Sequence, residues 1–229
     1  MSDWLTYRPE TFLMFSERTY RRLFEMHNAA LWPAHAAAIL AGVVILVLIF
    51  RRGGAAAGRP LAIVLAVASF AVALAWFWTR FSTIHTGGRP MAMAFAVEAL
   101  ALLWFGAVRD RFDAARPKGI RDWVAVFLLA YGLLLHPLLG CALGRPWAQL
   151  EVFGLAPDPI AIATIGALLL ARRAPWFLWV VPAGWCLFSG LTLWAMRTPD
   201  AWLPPAIALG GVALATLSQR RPAHDTRGQ

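Results

Sequence analysis

Five ionisable side chains stand inside or beside long apolar stretches of this sequence: His35, His85, Glu98, His136 and Asp158. An ionisable group in such a place costs free energy unless it is paired or used, so it is a candidate for a functional site. In the topology given below, all five fall in the outer third of a membrane. We therefore expect a polar binding pocket that opens outward and contains these five side chains.

His136 lies in a run of small residues that recur every four positions: Gly132, His136, Gly140 and Gly144. Small residues at this spacing let another helix approach closely. His136 is therefore expected to face the interior of a helix bundle, and Pro137 is expected to kink the helix. Two roles stay open for this histidine: a hydrogen-bonded contact between helices, or a ligand-binding and proton-handling group.

Glu98 also has more than one interpretation. A buried carboxyl can be protonated, can pair with Arg80 or Arg89 at the outer rim, or can line a functional pocket. Cys141 and Cys186 both fall in apolar stretches, where cysteine mostly serves as a small packing residue.

The element that must hold these groups is a helix that crosses a membrane. Hydrophobic residues make up 60% of the 229 and charged residues 14%, against roughly 45–50% and 25% in soluble domains. About 20 apolar residues in a helix span the hydrocarbon core of a bilayer. Seven stretches approach this length: 31–50, 61–79, 91–108, 123–143, 160–171, 176–196 and 201–217. The sequence predicts an all-α, polytopic membrane helix bundle of about seven transmembrane helices, or six if 160–171 is re-entrant.

Three regions follow from this pattern: an N-terminal interfacial segment (1–28), the transmembrane bundle (29–217) and a disordered polar tail (218–229). Within the first, residues 9–27 are expected to form an amphipathic helix opened by Pro9. Its apolar side carries Phe12, Phe15, Leu23 and Phe24. Its polar side carries Glu17, Arg18, Arg21, Arg22 and Glu25, with Glu17 and Arg21 at a favourable spacing. The helix anchors the chain to the outer membrane surface or, alternatively, forms a lid over a site below it.

The distribution of basic residues predicts the orientation. The seven-span arrangement places 13 of the 21 basic residues on one side and 8 on the other. Because arginine and lysine concentrate in cytoplasmic loops, the N-terminus is expected outside and the C-terminus in the cytoplasm. The lipid bilayer is then the main partner; a protein partner or a second copy of the chain is left open.

Several classes of protein are excluded. The net charge of +9 lies in short loops between apolar stretches, so a nucleic-acid partner is not expected. A retinal protein is excluded because residues 201–217 contain no lysine for a Schiff base. No pair of histidines is spaced to grip zinc from one helix face, which argues against an intramembrane metallohydrolase. No cofactor is predicted, with haem or a metal ion as the alternative.

Five short segments carry a resemblance to a known family: PETFLMF (9–15), NAALWPAH (28–35), YGLLLHPLLG (131–140), VFGLAPDP (152–159) and WCLFSG (185–190). In these segments the chain resembles an uncharacterised bacterial family of small inner-membrane proteins, a domain of unknown function whose members are sometimes labelled permeases. The resemblance implies a multi-pass protein of the bacterial inner membrane. It implies no known activity.

The chain departs from that family at three positions. The family usually has tyrosine at His136, a Pro-Cys-Pro where Pro157–Asp158–Pro159 stands, and glutamine near Glu98. If a shared site used that cysteine, this chain has lost the site or changed its ligand chemistry.

The sequence leaves three functions open. The first is a small permease whose outward-facing pocket contains Glu98 and His136, and this one we favour. The second is an accessory or scaffold membrane subunit whose polar groups only fix helix packing. The third is a membrane redox protein whose outer histidines bind haem or a metal ion. Neither of the first two functions requires the protein itself to be an enzyme.

Overall fold

The computed structural model describes residues 15–114, 116–171 and 174–219, and these residues form helices joined by short turns. The predicted all-α architecture is confirmed for this part of the chain. The helices are α1 (Glu17–Ala30), α2 (Ala34–Arg51), α3 (Gly54–Ala71), α4 (Gly88–Ala101), α5 (Ile120–Ala130), α6 (His136–Ala142), α7 (Pro157–Leu170), α8 (Val180–Ala195) and α9 (Leu203–Gln219).

Three helices continue through π-helical turns, and one begins with a 3-10 turn. The π-helical turns are Val72–Trp78 after α3, Leu102–Val108 after α4 and Tyr131–Leu135 between α5 and α6, and the 3-10 turn is Trp176–Trp179 before α8. With these turns included, five helices are long and apolar enough to cross a membrane: Ala34–Arg51, Gly54–Thr83, Gly88–Val108, Ile120–Ala142 and Trp176–Ala195.

Two further apolar helices are shorter, Pro157–Leu170 and Leu203–Leu217. The stretch 160–171 would reach a membrane-spanning length only if residues 153–159 extended its helix. Instead, α7 begins at Pro157, whose fixed φ suits a first helical position, and residues 153–155 form a turn. Fourteen residues rise about 21 Å, less than the roughly 30 Å of a hydrocarbon core. The structure therefore supports five long helices and two short ones.

Helix α7 occupies the centre of the bundle. All fourteen of its residues are buried, against α5, α8, α9 and α3. Two glycines allow α5 and its π-helical turn to lie directly on α7. A Cβ added at Gly166 would lie 2.6 Å from the backbone nitrogen of Leu129, and one at Gly132 would lie 2.5 Å from the carbonyl oxygen of Pro159. The interior of the bundle is thus a helix that is buried on every side.

The outer surface of the bundle is also apolar. Large aliphatic side chains on five different helices are 63–65% exposed: Leu40, Val67, Val97, Leu100, Leu191 and Leu209. Soluble proteins do not present so many apolar side chains on all sides, because each costs free energy in water.

The two ends of the bundle differ in character. Ala114 pairs with both Gly54 and Ala171, so the turn after α2, the segment after α4 and the end of α7 meet at one end. There Arg59 forms an ion pair with Asp110, and Arg116 donates to the carbonyl oxygen of Arg51. We call this the basic end. The opposite end, where α7 begins, we call the polar end.

Helix α1 packs against the polar end and is shorter than expected. It begins at Glu17 because the Oγ of Ser16 accepts a hydrogen bond from the backbone N–H of Thr19 (3.2 Å), which caps the first turn. The predicted start at Pro9, with Phe12, lies outside the described residues. Residues 15 and 16 are not helical, so the predicted continuous helix over 9–27 is wrong there.

One residue of α1 lies on the buried side of the helix, although it was predicted on the polar side. Arg21, expected on the polar side, is 8% exposed because the buried face of α1 is centred on Tyr20, Phe24 and His27. The expected pair with Glu17 is confirmed, with Arg21 Nε 3.4 Å from Glu17 Oε1. At the other terminus, residues 218 and 219 belong to α9 rather than to a tail, and 220–229 are outside the described residues.

Candidate functional site

The loop between α6 and α7 is held against α1 by side-chain hydrogen bonds. Asn28 Nδ2 donates to the carbonyl oxygens of Ala148 (2.8 Å) and Leu150 (2.9 Å). His27 Nε2 lies 2.9 Å from the carbonyl oxygen of Leu155, further along the loop. These bonds satisfy loop carbonyls that would otherwise be buried without partners. They fix a segment that places Glu151 inside the protein.

Asp158 is the second residue of α7 and is 4% exposed. Both carboxylate oxygens accept hydrogen bonds from α8: Oδ1 from Trp185 Nε1 (2.6 Å) and Oδ2 from Ser189 Oγ (2.7 Å). These two donors and the N-terminal end of α7 stabilise a negative charge on the carboxylate. The geometry fixes the orientation of Asp158 and leaves one lone pair on each oxygen.

Glu151 is 5% exposed and lies beside a buried arginine. Its Oε1 is 3.9 Å from Arg145 Nη1, while Arg145 Nη2 donates to Asp200 Oδ2 at 2.6 Å. Its Oε2 has no hydrogen-bond partner among the described residues. Arg145 is thus committed mainly to Asp200, and half of the Glu151 carboxylate stays available.

His136 follows the π-helical turn Tyr131–Leu135 and is 7% exposed. Such turns often occur at functional sites, because the extra residue redirects the side chains that follow. The Nδ1 of His136 lies 3.4 Å from the carbonyl oxygen of Glu151. When Nδ1–H donates to that oxygen, Nε2 carries the free lone pair. His136, Glu151 and Asp158 each offer one ligand atom, and these atoms lie within 4.8 Å of one another.

These groups belong to a larger set that we call the polar cluster: Arg21, Tyr131, His136, Arg145, Glu151, Asp158 and Asp200. Four of its side chains have a buried polar atom with no partner in the described parts of the chain: Arg21 Nη1, Tyr131 OH, Glu151 Oε2 and Asp200 Oδ1. Buried polar atoms are normally paired. Unpaired atoms on four members of one cluster are the pattern expected where a solute or water binds.

The charges of the cluster act on one another. Burial is the main cause that raises the pKa of Glu151, and the charge of Asp158 raises it further, while Arg145 and Arg21 lower it. Burial and then the negative charges of Glu151 and Asp158 raise the pKa of the Tyr20 phenol in α1. Arg21 and Tyr20 therefore lie within electrostatic range of the carboxylates, which links α1 to the cluster.

A groove of about 970 Å³ runs along α1 at the surface of the polar end. Its lining includes Arg18, Arg21, Arg22, Thr83 and Gln149. Arg21 is common to the groove and the polar cluster. The groove and the polar cluster therefore meet at Arg21.

The structure brings together two of the five residues predicted to line a pocket, His136 and Asp158. His35 is connected indirectly, since its Nε2 lies 3.3 Å from Oδ1 of Asn28, which holds the loop. His85 lies in the turn before α4, where its Nδ1 accepts from the backbone N–H of Gly87 (2.9 Å) and its ring stacks on Phe81.

Glu98 stands apart from the cluster. It is 5% exposed on α4, and its Oε1 has no hydrogen-bond partner within the described residues. No ion pair joins Glu98 to Arg80 or Arg89 among the described residues, and Arg89 lies over the ring of Trp78, 5.5 Å from its centroid. Glu98 is thus an isolated buried carboxyl.

Comparison with known families gives a match over most of the chain. A family model described as "Family of unknown function (DUF6064)" matches residues 17–226. The chain belongs to this family. The match confirms the expected resemblance to an uncharacterised family, and it includes every residue of the polar cluster. No curated protein and no solved structure matches the chain.

Sequence reasoning missed five members of the cluster: Arg21, Tyr131, Arg145, Glu151 and Asp200. The last three are charged loop residues. Each lies in a loop between apolar stretches, where a charged residue normally faces water. One signal for Glu151 was present, because Leu150, Val152, Phe153 and Leu155 make its loop apolar. A lone carboxyl among apolar loop residues indicates a loop that folds inward.

Proposed function

We propose that this protein is a multi-span membrane protein of the transport type, which takes a small cation from its surface groove into the polar cluster. The observation that carries the proposal is the cluster itself. It is a buried set of charged side chains, at one end of an apolar helix bundle, with unpaired atoms on four of its members.

The apolar surface supports the membrane part of the proposal. Five helices are long and apolar enough to cross a bilayer. In one of them, Ala34–Arg51, only 17% of the helix is buried by the rest of the chain. A helix so apolar and so exposed is stable when its surroundings are lipid, since water would have to hydrate every side chain. The two short helices, α7 and α9, would cross the bilayer together with the loops that flank them.

The basic end supports the orientation. The cationic residues Arg51, Arg59, Arg116 and Lys118 lie in or beside the segments that meet at Ala114. By the positive-inside rule this end faces the cytoplasm, and the polar end with α1 faces outward. The proposed location is the inner membrane of a bacterium, with the groove open to the outside.

The unpaired atoms favour a binding role over a scaffold role. In a scaffold subunit, polar groups that fix helix packing satisfy one another, because an unpaired buried group costs about 1–3 kcal/mol. Here Trp185 and Ser189 give each oxygen of Asp158 one partner, whereas Glu151 Oε2 and Tyr131 OH have none among the described residues. The open atoms lie where a bound solute would supply partners.

The charge balance favours a cation. The cluster holds two guanidinium groups, of Arg21 and Arg145, against three carboxylates, of Glu151, Asp158 and Asp200. The exposed Glu17 also shares the charge of Arg21. When all three carboxylates are ionised, one buried negative charge is left over. An unpaired charge in an apolar interior is costly, and burial accordingly raises the pKa of Glu151 to about 8. A bound cation would neutralise the charge that is left over.

The test is cation uptake by proteoliposomes that contain the purified protein. The probes are Na⁺, K⁺, Mg²⁺, Mn²⁺ and Zn²⁺, each offered from outside and compared with protein-free liposomes. We expect at least one of these ions to enter above the protein-free rate, and Asp158→Asn to abolish that uptake. The matched control is Glu98→Gln, which changes the isolated buried carboxyl by the same chemistry and should leave uptake unchanged.

Two results would overturn the proposal. One is that none of the five ions enters faster than in protein-free liposomes. The other is that Asp158→Asn and Glu98→Gln variants that elute as folded protein reduce uptake equally. Purification with a stoichiometric protein partner, together with no uptake, would support the scaffold function instead.

A further inference from the structure

We propose that the polar cluster binds a divalent first-row transition-metal ion through His136, Glu151 and Asp158. This inference rests on the proposed function for the class of solute, a cation, and goes further by naming the ion and its ligands. The ligand set is one imidazole nitrogen and two carboxylate oxygens, from α6, the following loop and α7.

The positions of the ligand atoms support the site. One atom from each of the three residues lies within 4.8 Å of the other two. Metal–ligand bonds of about 2.0–2.2 Å in tetrahedral geometry place ligand atoms about 3.3–3.6 Å apart. A contraction of about 1.5 Å or less, within the reach of side-chain rotation, would therefore close the three atoms around one ion.

The histidine is oriented as a metal ligand. Metal-binding histidines commonly donate their other ring N–H to a carbonyl or carboxylate, which fixes the tautomer and directs the free nitrogen to the metal. His136 has this arrangement, with Nδ1 facing the carbonyl oxygen of Glu151 at 3.4 Å. Because the same residue supplies this carbonyl and a ligand carboxylate, Glu151 positions His136 as well as binding the ion.

An independent observation points to a missing ligand. The side chain of Glu151 is buried, yet its Oε2 has no partner in the described residues. Its other oxygen has only a distant contact with Arg145, at 3.9 Å, and Arg145 itself is engaged at 2.6 Å by Asp200. A bound cation would satisfy Oε2 without breaking the Arg145–Asp200 pair.

The second carboxylate has a supporting set of contacts. Trp185 Nε1 and Ser189 Oγ hold Asp158 at 2.6 and 2.7 Å. Hydrogen bonds of this kind to a ligand typically account for 10–100-fold in metal affinity. The imidazole ligand favours Zn²⁺ or Fe²⁺ over Mg²⁺ and Ca²⁺, which prefer oxygen ligands, and the two carboxylates also suit Mn²⁺.

The experiment measures metal bound at equilibrium by the full chain, purified in detergent and stripped of metal. The protein is dialysed against Zn²⁺, Mn²⁺ or Mg²⁺, and the bound metal is counted by elemental mass spectrometry. We expect about one Zn²⁺ or Mn²⁺ per chain and no Mg²⁺ above background. Glu151→Gln should weaken binding by about 100-fold or more, and Glu98→Gln, the matched control, should not change it.

A milder variant keeps the test decisive if the loss of Glu151 disturbs folding. Trp185→Phe keeps an aromatic ring and removes the five-membered ring that carries the N–H holding Asp158, so it should weaken binding by about 10–100-fold. The proposal is overturned if the wild-type protein binds neither Zn²⁺ nor Mn²⁺. It is also overturned if folded Glu151→Gln and Trp185→Phe both bind metal as tightly as wild type, which would place the ion elsewhere.

This measurement can fail separately from the uptake assay, because it needs neither a bilayer nor a gradient. Metal binding without uptake would leave the site standing and would contradict transport. Uptake of Na⁺ or K⁺ by a protein that binds no Zn²⁺ or Mn²⁺ would sustain transport and contradict the metal site.

Discussion

Arg145 and Asp200 form a buried ion pair, with Arg145 Nη2 2.6 Å from Asp200 Oδ2 and both side chains at most 10% exposed. The pair ties the loop after α6 to the turn between α8 and α9. It also places the Arg145 guanidinium beside Glu151 without neutralising that carboxylate fully, since Arg145 Nη1 is 3.9 Å from Glu151 Oε1. Arg145 therefore holds the polar end together and leaves the candidate cation site open.

Removing Arg145 should be costly because it leaves two buried carboxylates without a partner. We expect Arg145→Leu to lower the free energy of unfolding by about 3–5 kcal/mol, measured by chemical unfolding in detergent. Combining it with Asp200→Leu should recover much of that loss, since no charge of the pair then remains.

The matched control for this prediction is the exposed pair of Arg59 and Asp110 at the basic end, 3.1 Å apart. Arg59→Leu should cost no more than about 1 kcal/mol, because water screens the charge that is left. Equal losses from Arg145→Leu and Arg59→Leu would contradict the burial of the polar-end pair.

The architecture was largely predictable because hydrophobic length determines where apolar helices lie. The five long helices cover stretches that composition alone identified. The start of α7 was placed less well. The stretch that begins at Phe153 is apolar except for Asp158, so hydropathy does not separate the turn over 153–155 from the helix that begins at Pro157.

The candidate site was only partly predictable. His136 and Asp158 stood out because ionisable residues in apolar stretches are rare. Glu151 and Arg145 did not, since a loop residue is usually solvated and the sequence does not show that Asn28 and His27 hold this loop inward. The direction of Arg21 was predicted wrongly for a related reason, because α1 buries a face that includes one arginine.

The space around two helical glycines predicts opposite effects when each is replaced by alanine. Gly166→Ala should destabilise the protein by about 1–3 kcal/mol, because the added Cβ would meet backbone atoms of Leu129 and Ala125 at 2.6 and 2.8 Å. Gly184→Ala in α8 should stabilise it by about 0.5–1 kcal/mol, since nothing lies within 4 Å of the added atom and alanine favours a helix.

Thermal unfolding of the two glycine variants in the same detergent measures these effects. A higher melting temperature for Gly166→Ala than for wild type would show that α5 and α7 do not pack as described.

The buried imidazole of His27 predicts a loss of stability in acid. Burial, the main cause, lowers the pKa of His27 from 6.5 to about 4 in the folded protein. The folded state therefore binds fewer protons than the unfolded state, and the stability due to neutral His27 is fully present above pH 6.5. It falls as the pH drops from 6.5 towards 4, because protonation favours the unfolded chain.

Melting temperatures of wild type and His27→Gln across this pH range test the effect, since the glutamine can still donate to Leu155. The advantage of wild type over the variant should shrink steadily between pH 6.5 and 4. An advantage that stays constant over the range would mean that His27 is not buried as a neutral group.

The central claim is that the polar cluster holds a cation, and the most direct measurement is the change in melting temperature when a cation is added at constant ionic strength. A ligand that binds only the folded state raises its stability in proportion to the logarithm of the ligand concentration. We predict that at least one of Na⁺, K⁺, Mg²⁺, Mn²⁺ and Zn²⁺ raises the melting temperature of wild type and of Glu98→Gln, and that Asp158→Asn abolishes the rise. An absence of any rise in wild type, or an equal rise in folded Asp158→Asn, would contradict the claim.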